Sequence, residues 1–265
     1  MKYCLFHHSG APHYGLVESV AGNEVITRIF HDTGESPLPD EDWRTERIPH
    51  VALDQAKLLA PVAPSKIICV GRNYRDHAKE LGNEVPTKIL IFSKPPTSII
   101  GPGEVVLRPK VSERVDHEAE LGVVIGKRCH KIPDTEDVRP YIHGYTCLND
   151  VTARDLQKTD DQWTRAKGFD TFCPVGPVIE SELNPWAGVG VTCRVNGEVR
   201  QQGNTKEFIF PLGDVIRYIA SVMTLLPGDL IATGTPAGVS PLNAGDVVEV
   251  EVEGVGILRN SVADE

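Results

Sequence analysis

One central run constrains the fold more than any other: Val115-Asp116-His117-Glu118-Ala119-Glu120-Leu121-Gly122-Val123-Val124-Ile125-Gly126. It ends in β-branched and small apolar residues, the composition of a strand entering a core. Side chains alternate along a strand, so Asp116, Glu118 and Glu120 are predicted on one face and His117, Ala119 and Leu121 on the other. Three ionised carboxylates on one face repel one another unless water or a cation offsets them. Two readings therefore stand: an exposed acidic strand, or a metal site. Carboxylate oxygen suits a hard divalent ion such as magnesium, manganese or calcium better than zinc, which prefers nitrogen and sulfur.

At 265 residues the chain can bury a full core, enough for one ordinary domain and a smaller one. With 37 acidic against 27 basic residues its formal charge is −10 and no basic run stands out, which argues against nucleic acid or an anionic membrane as partner. The six cysteines form no Cys-x-x-Cys and have no histidine at zinc-finger spacing, so they are expected as reduced, mostly buried thiols. No run of eighteen apolar residues occurs and the amino terminus lacks a signal-peptide core. A soluble, cytoplasmic protein is the expectation.

Residues 3–6, 14–20 and 24–30 read as short strands, with Ala21-Gly22-Asn23 at a hairpin turn. Proline and acidic residues dominate 32–64, which reads as a linker containing one helix-compatible stretch at 51–59. Residues 66–70 form a strand, and 75–81 a two-turn helix closed by Gly82. So short a helix depends on docking and could order over a ligand. On it His77 and Glu80 are neighbours, either an ordinary surface pair or a carboxylate orienting an imidazole. Strand material follows at 88–93 and 98–107, a weak helix at 134–141 and a strand at 142–148.

Asp150, at that strand's end, could cap the helix predicted from Thr152 or ligate a metal. Residues 163–170 have no clear period and read as loop, with Lys167 a surface cation on the plainest view. Asn196-Gly197 marks a type I′ hairpin within 192–200. Residues 212–223 form the best amphipathic helix, with Leu212, Val215, Ile216, Ile219, Val222 and Met223 as its core stripe. A strand is expected at 230–233. Gly234-Thr235-Pro236-Ala237-Gly238 is a tight loop, a plain turn or a cradle of N–H groups for a carboxylate, and 246–262 is a final valine-rich hairpin.

Taken in order, Gly71-Arg72-Asn73-Tyr74-x-Asp76-His77-x-x-Glu80, Asp116-x-Glu118-x-Glu120-Leu121, Gly144-Tyr145 through Asn149-Asp150-Val151-Thr152-Ala153-Arg154-Asp155, Ala166-Lys167-Gly168-Phe169-Asp170 and Thr233-Gly234-Thr235-Pro236-Ala237-Gly238-Val239 resemble the fumarylacetoacetate hydrolase family. The match spans roughly 66–262 and is closest to the acylpyruvate hydrolase and oxaloacetate decarboxylase-like branch. The resemblance implies an α+β fold, mainly β, of layered mixed sheets. A small amino-terminal β domain and linker would occupy residues 1–60, and a catalytic domain 65–265.

It further implies a homodimer with one Mg2+ or Mn2+ ion per subunit held by Glu118, Glu120 and Asp150. His77 and Glu80 would act as a catalytic dyad on a mobile lid, and Lys167 would hold substrate and ligand oxygens. Thr235, with Arg72 and Gln157, would contact a small 2-oxo acid substrate. Where close eukaryotic relatives tend to read Lys-Ser-Phe, this chain reads Lys167-Gly168-Phe169, which bears on substrate identity.

The activity expected first is hydrolysis of a carbon–carbon bond in a 2,4-dioxo acid, with His77 activating water and the ion stabilising an enolate. Oxaloacetate decarboxylation, or isomerisation of a hydroxymuconate-type or hydroxyheptadienedioate diacid, would use the same site. A non-enzymatic dicarboxylate-binding member is the contrasting possibility.

Overall fold

The acidic stretch does not run as one strand. In the computed structural model, which describes residues 1–31, 36–39, 43–80, 82 and 84–265, it splits into Val115–Asp116 and Ala119–Ile125. The short piece pairs with Thr152–Ala153 in a two-stranded ribbon, while the long one lies inside a twelve-stranded sheet. Between them His117 turns to Gln201 and Ser240, each 2.8 Å from a ring nitrogen. The two-residue period is lost there, so Asp116 does not join Glu118 and Glu120 as alternation predicts.

Ala119–Ile125 is buried along its whole length because both faces of its sheet are covered. Leu121, Val123 and Ile125 enter one apolar cluster and Val124 the other. Its neighbours are Ile142–Asn149, antiparallel, and Leu230–Ala232, which pairs parallel with Ile67–Gly71. The sheet continues through Cys173–Glu180 to the meander Lys2–His8, Ala11–Val20, Asn23–His31 and Arg44–Ala52. A second sheet of five strands holds Gly190–Val195, Glu198–Asn204, Val247–Val252, Gly256–Asp264 and Val105–Arg108.

Both predicted hairpin turns form where left-handed residues permit them: Ala21 and Gly22 have φ of 51° and 83°, Asn196 and Gly197 of 53° and 82°. The helix Leu212–Val222 buries Leu212, Val215, Ile216 and Ile219, each worth about 1.5–3 kcal/mol relative to exposure. Val222, predicted in that stripe, is 55% exposed at the helix end. The final hairpin forms as Val247–Val252 with Gly256–Asp264.

Several local expectations are overturned. Arg44–Ala52 is a strand paired with Asn23–His31 despite Pro49, as an edge strand tolerates proline. Only a 3-10 turn at Leu53–Gln55 remains of the helix expected over 51–59, and one at Arg139–Tyr141 of that over 134–141. Residues 32–35 and 40–42 of the predicted linker, and Leu81 at the end of the predicted helix, lie outside the described residues. Among the described residues, all six cysteines are free and buried, and no helix is long and apolar enough to cross a membrane.

Candidate active site and metal centre

The register of the central sheet builds the acidic centre. Ala119 pairs with Asn149, so the residues flanking that pair, Glu118 and Asp150, meet at the strand ends, where the Asp150 N–H donates to the Glu118 carbonyl at 2.8 Å. Asn149 Oδ1 accepts from the Glu118 N–H at 2.9 Å and secures the corner. Carboxylate oxygens of Glu118, Glu120 and Asp150 lie within 4.8 Å of one another. The three are 4%, 1% and 1% exposed, which rules out the solvent-facing acidic strand. Asp150 does not cap the next helix: Arg154–Thr159 begins after Ala153, with no side-chain cap.

Buried cations surround the cluster. Lys167 Nζ bridges Glu118 Oε2 at 2.7 Å and Asp150 Oδ2 at 2.6 Å, so it is no surface cation. Burial disfavours its charge, but Asp150 and Glu118 outweigh that and raise its pKa. Its placement follows from a single helical turn, Thr164–Lys167, where loop was expected. Lys94 Nζ donates to Asp150 Oδ1 at 2.7 Å. Arg154 donates to Asp116 at 2.8 Å, to Glu118 at 2.6 Å and to Gln157 Oε1 at 2.6 Å. Burial pushes the Glu118 carboxyl up, yet Lys167 and Arg154 prevail and hold it far below the ordinary range.

Glu120 differs. Among the described residues no lysine or arginine pairs with it, and Gly234 N–H donates to its Oε2 at 2.6 Å. Burial, then the neighbouring Asp150 and Glu118 charges, push its pKa well up. Three buried carboxylates, one without its own cation and with no nitrogen or sulfur donor among them, fit a hard divalent ion. Glu118, Glu120 and Asp150 would hold it.

The cavity beside them has a volume of about 270 Å3 and is lined by Arg72, His77, Arg154, Gln157, Lys158 and Lys167 among others. His77, on the helix Arg75–Glu80, is 4% exposed, and its Nδ1 lies 3.4 Å from Glu80 Oε2. Glu80 also accepts from the Gly238 N–H at 3.0 and 3.1 Å, which ties that short helix to the glycine-rich loop. Partial burial works against its charge, but His77 and the Gly238 N–H overcome this and lower its pKa. The loop thus aims two N–H groups at the protein's own carboxylates, Glu120 and Glu80.

The Thr235 hydroxyl donates to the Ala119 carbonyl at 2.8 Å and accepts from Gln201 at 2.7 Å, so its proton is committed inside the protein although the residue lines the cavity. At Gly168 a Cβ would stand 2.4 Å from the Thr164 carbonyl oxygen, so this turn is built for glycine. Lys94 and Gln201 escaped sequence reasoning, as did the part Arg154 plays in holding Glu118. Single polar residues at strand ends leave no periodic trace. Gln201 satisfies His117, the Ala119 N–H, Thr235 and the Pro236 carbonyl together.

Comparison with known proteins agrees with this geometry. Residues 66–263 match the family model for the fumarylacetoacetate hydrolase C-terminal region, and residues 1–61 one described as Rv2993c-like, N-terminal. An uncharacterised protein of Methanocaldococcus jannaschii is 57% identical over 77% of this chain and 85% of its own length. The mitochondrial oxaloacetate tautomerase Fahd2a of Rattus norvegicus is 38% identical over 96% of this chain and 88% of its own. The crystal structure of 2-hydroxyhepta-2,4-diene-1,7-dioate isomerase from Mycobacterium marinum superposes with a TM-score of 0.86 at 38% identity, covering 100% of this chain and 99% of that one. With the carboxylate cluster, the His77–Glu80 pair and the glycine-rich loop joined around one cavity, and the model matched over 66–263, the chain belongs to the fumarylacetoacetate hydrolase family.

Proposed function

We propose that this protein is a divalent-metal-dependent enzyme that moves a proton on a small 2-oxo acid, interconverting keto and enol or shifting a double bond. The observation that carries the reading is a base and an acidic centre facing one cavity: His77, braced by Glu80, lines it together with Glu118, Glu120 and Asp150. An ion held by those carboxylates would supply a Lewis acid for the 1-carboxylate and 2-oxo oxygen.

The rest belongs to the chain. Glu80, kept ionised by the Gly238 N–H, accepts the Nδ1 proton of His77, so the unprotonated Nε2 is the base. Nε2 takes a proton from the carbon next to the 2-oxo group, and the C–H electron pair moves toward that oxygen. The resulting imidazolium returns the proton to oxygen or to a more distant carbon. Lys167 adds fixed positive charge where negative charge develops.

Proton transfer goes ahead of carbon–carbon hydrolysis because tautomerases and isomerases, at 38–39% identity, outnumber the one named hydrolase, the fumarylacetoacetate hydrolase of Exiguobacterium antarcticum at 36%, among these similar proteins. Hydrolysis is the second reading, favoured by the same dyad, which would equally activate a water against the distal carbonyl of a 2,4-dioxo acid. The deciding measurement follows enol loss from oxaloacetate and cleavage of acylpyruvates, with Mg2+ and with Mn2+, for the wild type and His77→Ala. Accelerated ketonisation lost in the variant supports the proposal. Cleavage without it replaces tautomerisation by hydrolysis, and inactivity toward every acid removes both.

A further inference from the structure

We propose that the amino-terminal strands carry a phosphate-binding site, with the phosphate held between the guanidinium groups of Arg28 and Arg47. The cavity there has a volume of about 240 Å3 and is lined by Glu18, Ser19, Thr27, Arg28, Arg47 and His50 among others. It lies on Ala11–Val20, Asn23–His31 and Arg44–Ala52, at one end of the strand order of the twelve-stranded sheet. None of its residues lines the catalytic cavity, and the site stands independently of the activity proposed above.

Strand pairing brings the two arginines together. Asn23–His31 and Arg44–Ala52 run antiparallel with Arg28 directly opposite Arg47, so both side chains stand on one face of the sheet. Like charges placed opposite in this way destabilise a sheet unless something offsets them. Among the described residues no carboxylate does so: the Arg28 side chain reaches only Thr45 Oγ1, at 3.4 Å, and the Arg47 side chain has neither an ion pair nor a hydrogen bond. Glu18, the carboxylate in the lining, accepts instead from the hydroxyl of the buried Thr27. The ladder is also interrupted here. Ile26 pairs with Val51 and Arg28 with Arg47, so Ile48, Pro49 and His50 oppose the single residue Thr27. Such a bulge bends its strand and re-aims side chains, and this one puts Ile48 and His50 in the cavity wall.

Charge and shape select the ligand. Two guanidinium groups against one carboxylate leave a surplus of positive charge in the lining, in a protein whose formal net charge is −10. A carboxylate ligand spends both its oxygens on one arginine fork, whereas a phosphate group offers three and carries a charge of about −1.5 to −2, enough to serve both arginines and the His50 imidazole. The volume of about 240 Å3 lies below the usual range for whole ligands, about 300–1,000 Å3, and suits phosphate itself or a phosphate monoester with a small organic group. Bound there, the phosphate would tie the edge strand Arg44–Ala52 to its neighbour.

The experiment titrates inorganic phosphate and glycerol 3-phosphate into the full-length protein by calorimetry in the presence of Mg2+, with the melting temperature followed in parallel. Saturable binding is expected, together with a rise in melting temperature. Arg28→Gln and Arg47→Gln should each weaken binding about tenfold or more, the worth of a hydrogen bond to a charged group. Arg47→Glu, which sets an opposite charge across from Arg28, should bind neither probe yet melt no lower than the wild type without phosphate. Tighter binding of glycerol 3-phosphate supports the site with a monoester as its ligand, and equal affinities support it with the free ion. No saturable binding at millimolar concentrations overturns the site. Binding that survives Arg47→Glu overturns it too, as does binding lost in Glu118→Gln but kept in Arg47→Gln, which would put the phosphate at the acidic centre instead.

Discussion

Gly234 N–H donates to Glu120 Oε2 at 2.6 Å, and this backbone dipole stands where the two neighbouring carboxylates each have a buried cation. Glu120 is therefore the least compensated member of the cluster, and its raised pKa follows from burial and from the charges of Asp150 and Glu118.

Metal binding should release a proton from Glu120. Because its folded pKa is raised, the metal-free protein gains stability from this group at low pH and loses that gain as pH rises through the folded value. A cation must displace the proton, so affinity for Mn2+ should increase by up to about tenfold per pH unit from the ordinary glutamate range up to the raised value. Calorimetry in buffers of different ionisation enthalpy should detect up to about one proton released, and Glu120→Gln should abolish it. Buffer-independent heats in the wild type would contradict this account.

Removing Arg154 should destabilise the fold. Arg154→Met leaves Asp116 and Glu118 buried with one partner fewer each, and breaking a buried pair in this way costs about 3–5 kcal/mol. Chemical denaturation of the metal-free protein measures it. Lysine at the same position, unable to reach both carboxylates as a fork, should recover only part.

The dyad should separate catalysis from metal binding. His77→Ala is expected to lower kcat about 100- to 10,000-fold, the usual worth of a positioned general base, with Mn2+ affinity little changed. Glu80→Gln should lower kcat by less, because the imidazole stays but loses its carboxylate brace. The depressed pKa of Glu80 means that its stabilising contact is present above the ordinary glutamate value and is lost as pH falls through the folded one. Protection against hydrogen exchange in Arg75–Glu80, taken relative to the intrinsic rate at each pH, should accordingly fall in acid.

Gly238→Ala should unlatch the same helix. Gly238 has φ of 105°, and a Cβ there would stand 1.9 Å from the Arg200 carbonyl oxygen, so backbone has to move. The Glu80 contact to its N–H would go with it. A lower melting temperature together with faster exchange in Arg75–Glu80 is the expected outcome, whereas a loss of activity with unchanged exchange would argue against the link.

What was legible in the sequence was local or ordered along the chain. Asn196-Gly197 specifies its hairpin through two left-handed residues, and Leu212–Val222 declares itself by the spacing of its apolar side chains. The acidic residues, the His77–Glu80 pair and the Gly-Thr-Pro loop could be read as a family pattern because their order is distinctive, although no single motif is. Cys173–Glu180 left no such mark: with Pro174, Gly176 and Pro177 it has neither alternation nor strand composition, yet it joins the amino-terminal meander to the central sheet.

By itself the sequence determined which side chains could do chemistry and which short segments would turn or coil, since those depend on neighbours a few residues away. Only the tertiary structure decided that Asp116 stays outside the acidic cluster and pairs with Arg154, and that Lys94 and Lys167 are buried against Asp150. Those choices rest on pairings between distant strands and on the need of every buried charge for a partner, and neither leaves a period in the chain.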